Sequence, residues 1–210
     1  MFRGVGPVEL LTGAAASEGR FKREAPGKRI LHVATHGFFL QSECLSAESV
    51  GRGFAKGTET VARGIGENPL LLSGLVLAGA NRASEAGPDQ EDGILTAEEL
   101  AALDLRGLEI AALSACDTGL GTVEAGEGVF GLRRALEIAG ARTVLMSLWP
   151  VPDKGAREWM ASFYGSRLGG ESVLDATRKA SLAALEELRK QGLPDHPYLW
   201  AGFVAAGDWQ

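Results

Sequence analysis

Two residues of this 210-residue chain, Cys116 and His36, have the types and positions that thiol chemistry needs. Cys116 closes the run Glu109 to Ala115, which is mostly apolar, lacks Gly and Pro, and reads as a buried strand. Asp117, Thr118 and Gly119 follow and predict a turn. His36 ends a second apolar run that begins at Ile30, and Gly37 comes directly after it. The thiolate is the reactive form of cysteine. A histidine near its reference pKa of about 6.5 can take the thiol proton and later give it to a leaving amine. Strand carboxyl ends are where open α/β sheets present their chemistry, and backbone N–H groups freed in the turn after Cys116 can face a developing oxyanion. Free cysteine more often serves as a small buried hydrophobe, so its place at a strand end is what singles out Cys116. Cys44, the other thiol, falls in a polar stretch and reads as incidental.

The elements that must position these groups alternate. Val8 to Leu11 predicts a short strand, Ala14 to Glu24 a helix stopped by Pro26-Gly27, and Arg29 to Thr35 a second strand. That βαβ order favours a parallel sheet with a right-handed crossover. Residues 41–68, rich in Gly, Ser and charge, predict a long loop, either functional or a surface insertion. Gly74 to Ala80 reads as a strand and Asn81 to Asp92 as a loop. Thr96, with Glu99 three residues on, has capping-box spacing for a helix reaching about Leu103. Glycines 119, 121, 126 and 128 make a glycine-rich turn before an amphipathic helix, Val129 to Ala139, that Gly140 stops. Thr143 to Leu148 and Leu199 to Ala205 predict further strands, and Lys154 to Leu168 and Ser172 to Lys190 predict helices. The fold class is therefore α/β, as one domain over residues 1–210.

Composition excludes several functions. A net charge of -6 argues against a nucleic-acid partner, whose footprint would be basic. No apolar run approaches the roughly 18 residues of a membrane span, and the N-terminus lacks the pattern of a signal peptide. Two cysteines make no disulfide framework, so a reducing, cytoplasmic setting is expected. The histidines and cysteines have no zinc-finger spacing, and neither metal nor cofactor is expected. His32 and His36 share strand parity, but residues four apart on a strand lie roughly 13 Å apart, too far for one ion. His32 reads as a hydrogen-bonded structural residue, and His196, between prolines, as a surface or packing one.

Two motifs mislead. Asp117-Thr118-Gly119 spells the aspartic-protease triplet, yet it occurs once, in an α/β pattern. Gly126 to Gly131 spells GxGxxG, but does not directly follow a strand as the dinucleotide fingerprint requires. Asp153, after the break at Trp149 to Pro152, could pair with a basic substrate side chain or cap the helix starting at Lys154.

Taken in order, His32 to Gly37, Ser73 to Asn81, Gly93 to Glu99, Leu113 to Gly119, Gly126 to Leu132, Ser147 to Asp153 and Tyr198 to Phe203 resemble the CHAT domain, a caspase-like module often found beside TPR repeats in bacterial proteins. Caspases, gingipains and separases share the wider fold, that of the clan CD cysteine peptidases. The resemblance implies a three-layer αβα sandwich with a mostly parallel sheet, and cysteine endopeptidase activity on a protein or peptide substrate. It implies a Cys-His dyad at Cys116 and His36, with an oxyanion hole from the N–H groups of Gly37 and Cys116. Asp153 resembles an acidic position that separases use for a basic P1 side chain, and Asp117 beside the thiol is a second substrate-binding candidate. The family usually has more sequence before the first strand, so a short version or fragment is expected. No TPR array is present, so a TPR-containing or other regulatory partner would lie on another chain. A catalytically silent interaction module and another thiol-dependent amidase are the alternatives.

Overall fold

The computed structural model describes residues 7–39, 69–87, 90–114 and 127–209. Its centre is β5 (Ile110–Leu113), all four residues of which are buried. β5 pairs in parallel with β1 (Ile30–Val33) on one side and β6 (Thr143–Ser147) on the other. The C-terminal strand β7 (Phe203–Gly207) closes the sheet against β6 in antiparallel sense, giving the order β1-β5-β6-β7. Strand side chains alternate between faces, and the sheet feeds two separate cores. Val33, Ala111, Leu113, Val144 and Met146 join one. Ile110, Ala112, Leu145 and Phe203 join the other. With apolar residues on both faces, β5 and β6 read as continuous hydrophobic runs, as buried parallel strands do.

Helices α4 (Asp153–Leu168) and α5 (Val173–Lys190) cover the second face through Trp159, Phe163, Tyr164, Val173 and Ala176. Trp159 stacks on Phe203 with ring centroids 4.5 Å apart, which fixes α4 to the last strand. The Ser172 hydroxyl accepts from the Asp175 N–H and caps α5. The first face takes α1 (Glu18–Glu24), α2 (Ala97–Ala101) and α3 (Glu127–Ala139), with Phe21, Leu100, Leu132 and Leu136 in its core. The expected capping box at α2 is present in both directions. The result is helix, sheet and helix in three layers.

A second sheet stands on the first face. β2 (His36–Phe39), β3 (Ser73–Val76) and β4 (Ile94–Thr96) run antiparallel in that order, and Leu75 and Leu95 bury into the α1–α3 core. Gly74 is needed there: a Cβ would lie 2.6 Å from the Leu95 carbonyl oxygen and 2.7 Å from the Phe38 ring.

Several elements differ from expectation. Residues 8–11 form no strand, and Leu10 is 81% exposed. The run Ile30 to Thr35 is not one strand that ends at His36: β1 stops at Val33 and His36 begins β2 in the other sheet. The Thr35 hydroxyl donates to the Val76 carbonyl at this break. His32 and His36 therefore share no strand face. Residues 81–92, expected as loop, contain most of a 3-10 segment, Ala80–Glu85. The long loop at 41–68 and the turn glycines 119, 121 and 126 lie outside the described residues.

Candidate active site at the carboxyl edge of the sheet

The last paired residues of β1 and β5 are Val33 and Leu113. One step further, the Ser114 N–H donates to the Val33 carbonyl at 2.9 Å. Beyond Val33, Ala34 and Thr35 lead to His36, which is exposed and opens β2 opposite Val76. Gly37 follows opposite the buried Leu75. Beyond Ser114 the chain leads to Cys116 and Asp117, which lie outside the described residues, as does Cys44.

β6 ends on the same edge. Leu148 N–H donates to the Gly202 carbonyl at 2.8 Å, joining the segment after β6 to the one before β7. Trp149 stacks on Tyr198 with centroids 5.4 Å apart, and its indole N–H donates to the Tyr198 carbonyl at 2.9 Å. Asp153 is an exposed residue in the first turn of α4. The expected N-cap role is not found: α4 starts at Asp153 itself, Pro152 holds the cap position, and no side chain caps this end. The carboxylate sits where the helix dipole favours a negative charge.

The other two histidines make hydrogen bonds away from this edge's strand ends. His32 Nδ1 and the Tyr164 hydroxyl share a hydrogen bond of 3.0 Å. That edge faces a buried tyrosine, and desolvation holds the His32 pKa below its usual value although much of the residue stays exposed. Burial likewise pushes the Tyr164 phenol up. His196 Nδ1 accepts from the Tyr198 N–H at 3.2 Å and caps the short 3-10 turn Pro197–Leu199.

One ionic cluster has no signature in the sequence. Lys22 Nζ lies 2.7 Å from Glu18, 2.6 Å from Glu91 and 2.9 Å from Glu99. The three carboxylates are close enough together to ligate a metal. The ammonium already occupies their common contact, so the cluster reads as a clasp between α1, the residues before β4, and α2. Glu18 is buried, and its other oxygen accepts from the Gly93 N–H at 2.8 Å. Burial, with a hydrogen bond to Glu91, pushes the Glu18 carboxyl up to about 7.

A mostly parallel sheet between helical layers, with its candidate chemistry at the strand carboxyl ends, defines an α/β sandwich of the caspase-like class. Comparison with known proteins narrows this further. The CHAT domain family model matches residues 1–208, and the chain belongs to that family, within the cysteine peptidase clan. It is 38% identical over 122 residues to tetratricopeptide repeat protein 28 of Mus musculus, covering 57% of this chain and 5% of that protein. To tetratricopeptide repeat protein 28 of Homo sapiens it is 34% identical over 123 residues, again 57% and 5%. The chain thus matches about a twentieth of the length of these curated relatives, which are mammalian rather than bacterial. No helix among the described residues is long and apolar enough to cross a membrane.

Proposed function

We propose that residues 1–210 form one caspase-like domain acting as a cysteine endopeptidase, with Cys116 as nucleophile and His36 as its base. The Val33–Ser114 hydrogen bond is the observation that carries this reading. It fixes two strand ends side by side, and Cys116 and His36 stand only two and three positions further along the chain. Extended backbone of that length spans at most about 7 and about 10 Å, which supports a role for both residues near this edge. The thiolate attacks the scissile carbonyl, and N–H groups of Gly37 and Cys116 stabilise the oxyanion. Imidazolium protonates the leaving amine, and water hydrolyses the thioester. Asp153, free of a capping role, is the acidic group for a basic substrate side chain, with Asp117 beside the thiol. A reducing cytoplasm suits a free catalytic thiol. The test is peptide-library cleavage by the wild type and by Cys116→Ala. Loss of cleavage with Cys116→Ala, together with a basic P1 preference that Asp153→Asn weakens, supports the assignment. Unchanged cleavage by Cys116→Ala overturns it, and cleavage of simple amides without P1 preference moves the chain to the amidases.

A second reading has its own support. Both relatives are named for tetratricopeptide repeats, and the match covers a small part of each. On that reading the chain is a non-catalytic module that engages a TPR-containing or other regulatory partner. A thiol-directed peptide electrophile separates the two: selective labelling of Cys116 over Cys44 favours the enzyme, and equal slow labelling of both favours the module.

A further inference from the structure

The segment after β6 and the segment before β7 meet at the carboxyl edge of the sheet and expose an ordered aromatic pair there. Met146 pairs with Leu113, so β6 leaves the sheet next to the strand that leads to Cys116. Trp149 then stacks on Tyr198 with the two ring planes 11° apart, and its indole N–H is spent on the Tyr198 carbonyl. The indole covers one face of the tyrosine ring, yet Tyr198 stays 51% exposed. The loop that presents it is braced from within. His196 Nδ1 accepts from the Tyr198 N–H at 3.2 Å, the Trp200 indole N–H donates to the Asp195 carbonyl at 2.9 Å, and the Ala201 N–H donates to the Pro197 carbonyl at 2.8 Å. Pro150, Pro152 and Pro197 fix the backbone φ at three positions around the pair.

A lone exposed aromatic residue needs no explanation. This one is backed by a tryptophan, held by a rigid loop, and shares its edge with Asp153. A surface already ordered in this way loses little freedom when a ligand meets it. Aromatic rings gain from a further ring beyond the area they bury. Reach sets where on a peptide such a ring must stand. Asp153 comes four positions after Trp149, at most about 13 Å along extended chain, and the stack adds 5.4 Å. An extended peptide advances about 3.3 Å per residue, so the two contacts fall within about five residues of each other. We propose that the Trp149–Tyr198 pair is a specificity subsite that takes an aromatic side chain of the substrate on the open side of Tyr198. The inference rests on the peptidase reading and adds a second recognition element to it: a basic residue at Asp153, and an aromatic residue close by in sequence.

Fluorescence polarisation of labelled peptides against the full chain carrying Cys116→Ala tests this without cleavage. Each peptide fixes one arginine and places phenylalanine or alanine at one position up to about five residues away on either side. At one of these positions phenylalanine tightens binding about tenfold over alanine. Adding Tyr198→Ala removes that gain and leaves the affinity of the alanine peptide as it was, whereas Tyr198→Phe keeps the gain. A purely structural role for Tyr198 weakens both peptides equally under Tyr198→Ala, and that result overturns the proposal. So does a phenylalanine advantage at no position. Cleavage of the same peptides by the wild type separates the two readings. Cleavage next to arginine with no phenylalanine advantage sinks the subsite and leaves the peptidase standing. A Tyr198-dependent advantage in binding with no cleavage by the wild type upholds the aromatic subsite as a peptide-docking surface and sinks the peptidase.

Discussion

Ser114 donates its backbone N–H to the Val33 carbonyl at 2.9 Å, one step beyond the last residue pair of β1 and β5. Parallel pairing thus continues past both strands, towards the candidate base on one side and the candidate nucleophile on the other. If His36 deprotonates Cys116, His36→Asn slows alkylation of Cys116 by a peptide electrophile about 10²–10⁴-fold at neutral pH. Alkylation of Cys44 serves as the internal reference and is unchanged. Mass-spectrometric rates at the two thiols check this, and equal slowing at both removes His36 from the chemistry.

Gly74 holds β2 in place, and β2 carries His36 and Gly37. A Cβ at position 74 meets a backbone carbonyl and an aromatic ring at once, and the carbonyl cannot yield without moving β4. Gly74→Ala should cost about 2–3 kcal/mol and slow Cys116 labelling with it. Adding Phe38→Leu relieves the ring contact but not the carbonyl one, so the double variant should recover only part of the stability by urea denaturation. Full recovery would show that the Leu95 carbonyl is not a constraint.

How much of this was legible depends on where each element finds its partner. β5 and β6 were legible because apolar residues on both faces leave an unbroken hydrophobic run. The Thr96–Glu99 box was legible because capping is local: Glu99 N–H bonds the Thr96 hydroxyl at 3.2 Å and Thr96 N–H the Glu99 carboxylate at 2.9 Å. The division of one apparent strand into β1 and β2 was not legible. It depends on Val76, some 40 residues downstream, taking the Thr35 hydroxyl bond and pairing with His36. Val8 and Leu10 had strand composition, yet both side chains stay exposed and the segment forms no strand. Lys22 had no signature because its three carboxylates come from positions 18, 91 and 99. At the candidate site, His36 and Asp153 were singled out by residue type and punctuation, and they lie at the start of β2 and in the first turn of α4. α4 begins at Asp153 with Pro152 in the cap position, so the aspartate is not the N-cap.

Gly202 sits against the Trp149 segment that leads to Asp153. A Cβ there lies 2.7 Å from Val151 Cγ2 and 3.2 Å from the Trp149 indole nitrogen. Gly202→Ala should therefore disturb the Trp149–Tyr198 stack, at a cost of about 1–3 kcal/mol. For a chain of this size that lowers the melting temperature by about 2–4 °C per kcal/mol. Near-UV circular dichroism should lose intensity in the tryptophan region. An unaltered spectrum and melt would show that the Val151 and Trp149 side chains give way freely.

The Glu18 clasp makes stability depend on pH in a definite direction. The Glu18 carboxyl is pushed up to about 7 from its ordinary 4.5, chiefly by burial. Between those values the folded chain holds a proton that the unfolded chain releases, so this group's contribution falls as pH rises through the window. Glu91 and Glu99 are shifted the other way. The hydrogen bond with Glu18, then that of Lys22, lowers Glu91; Lys22 and the Thr96 groups lower Glu99 against its desolvation. Their contribution is present above pH 4.5 and is lost as pH falls through their depressed values. His32, depressed by desolvation, adds stability as pH rises towards neutrality and so partly masks the Glu18 slope. A difference measurement removes that mask. Glu18→Gln keeps an acceptor for the Gly93 N–H and cannot titrate, while His32 is the same in both proteins. The melting temperature of the wild type relative to Glu18→Gln should therefore decline from pH 5 to pH 7, by a few degrees. Parallel profiles across that range would mean that Glu18 is ionised throughout, held so by Lys22 despite its burial.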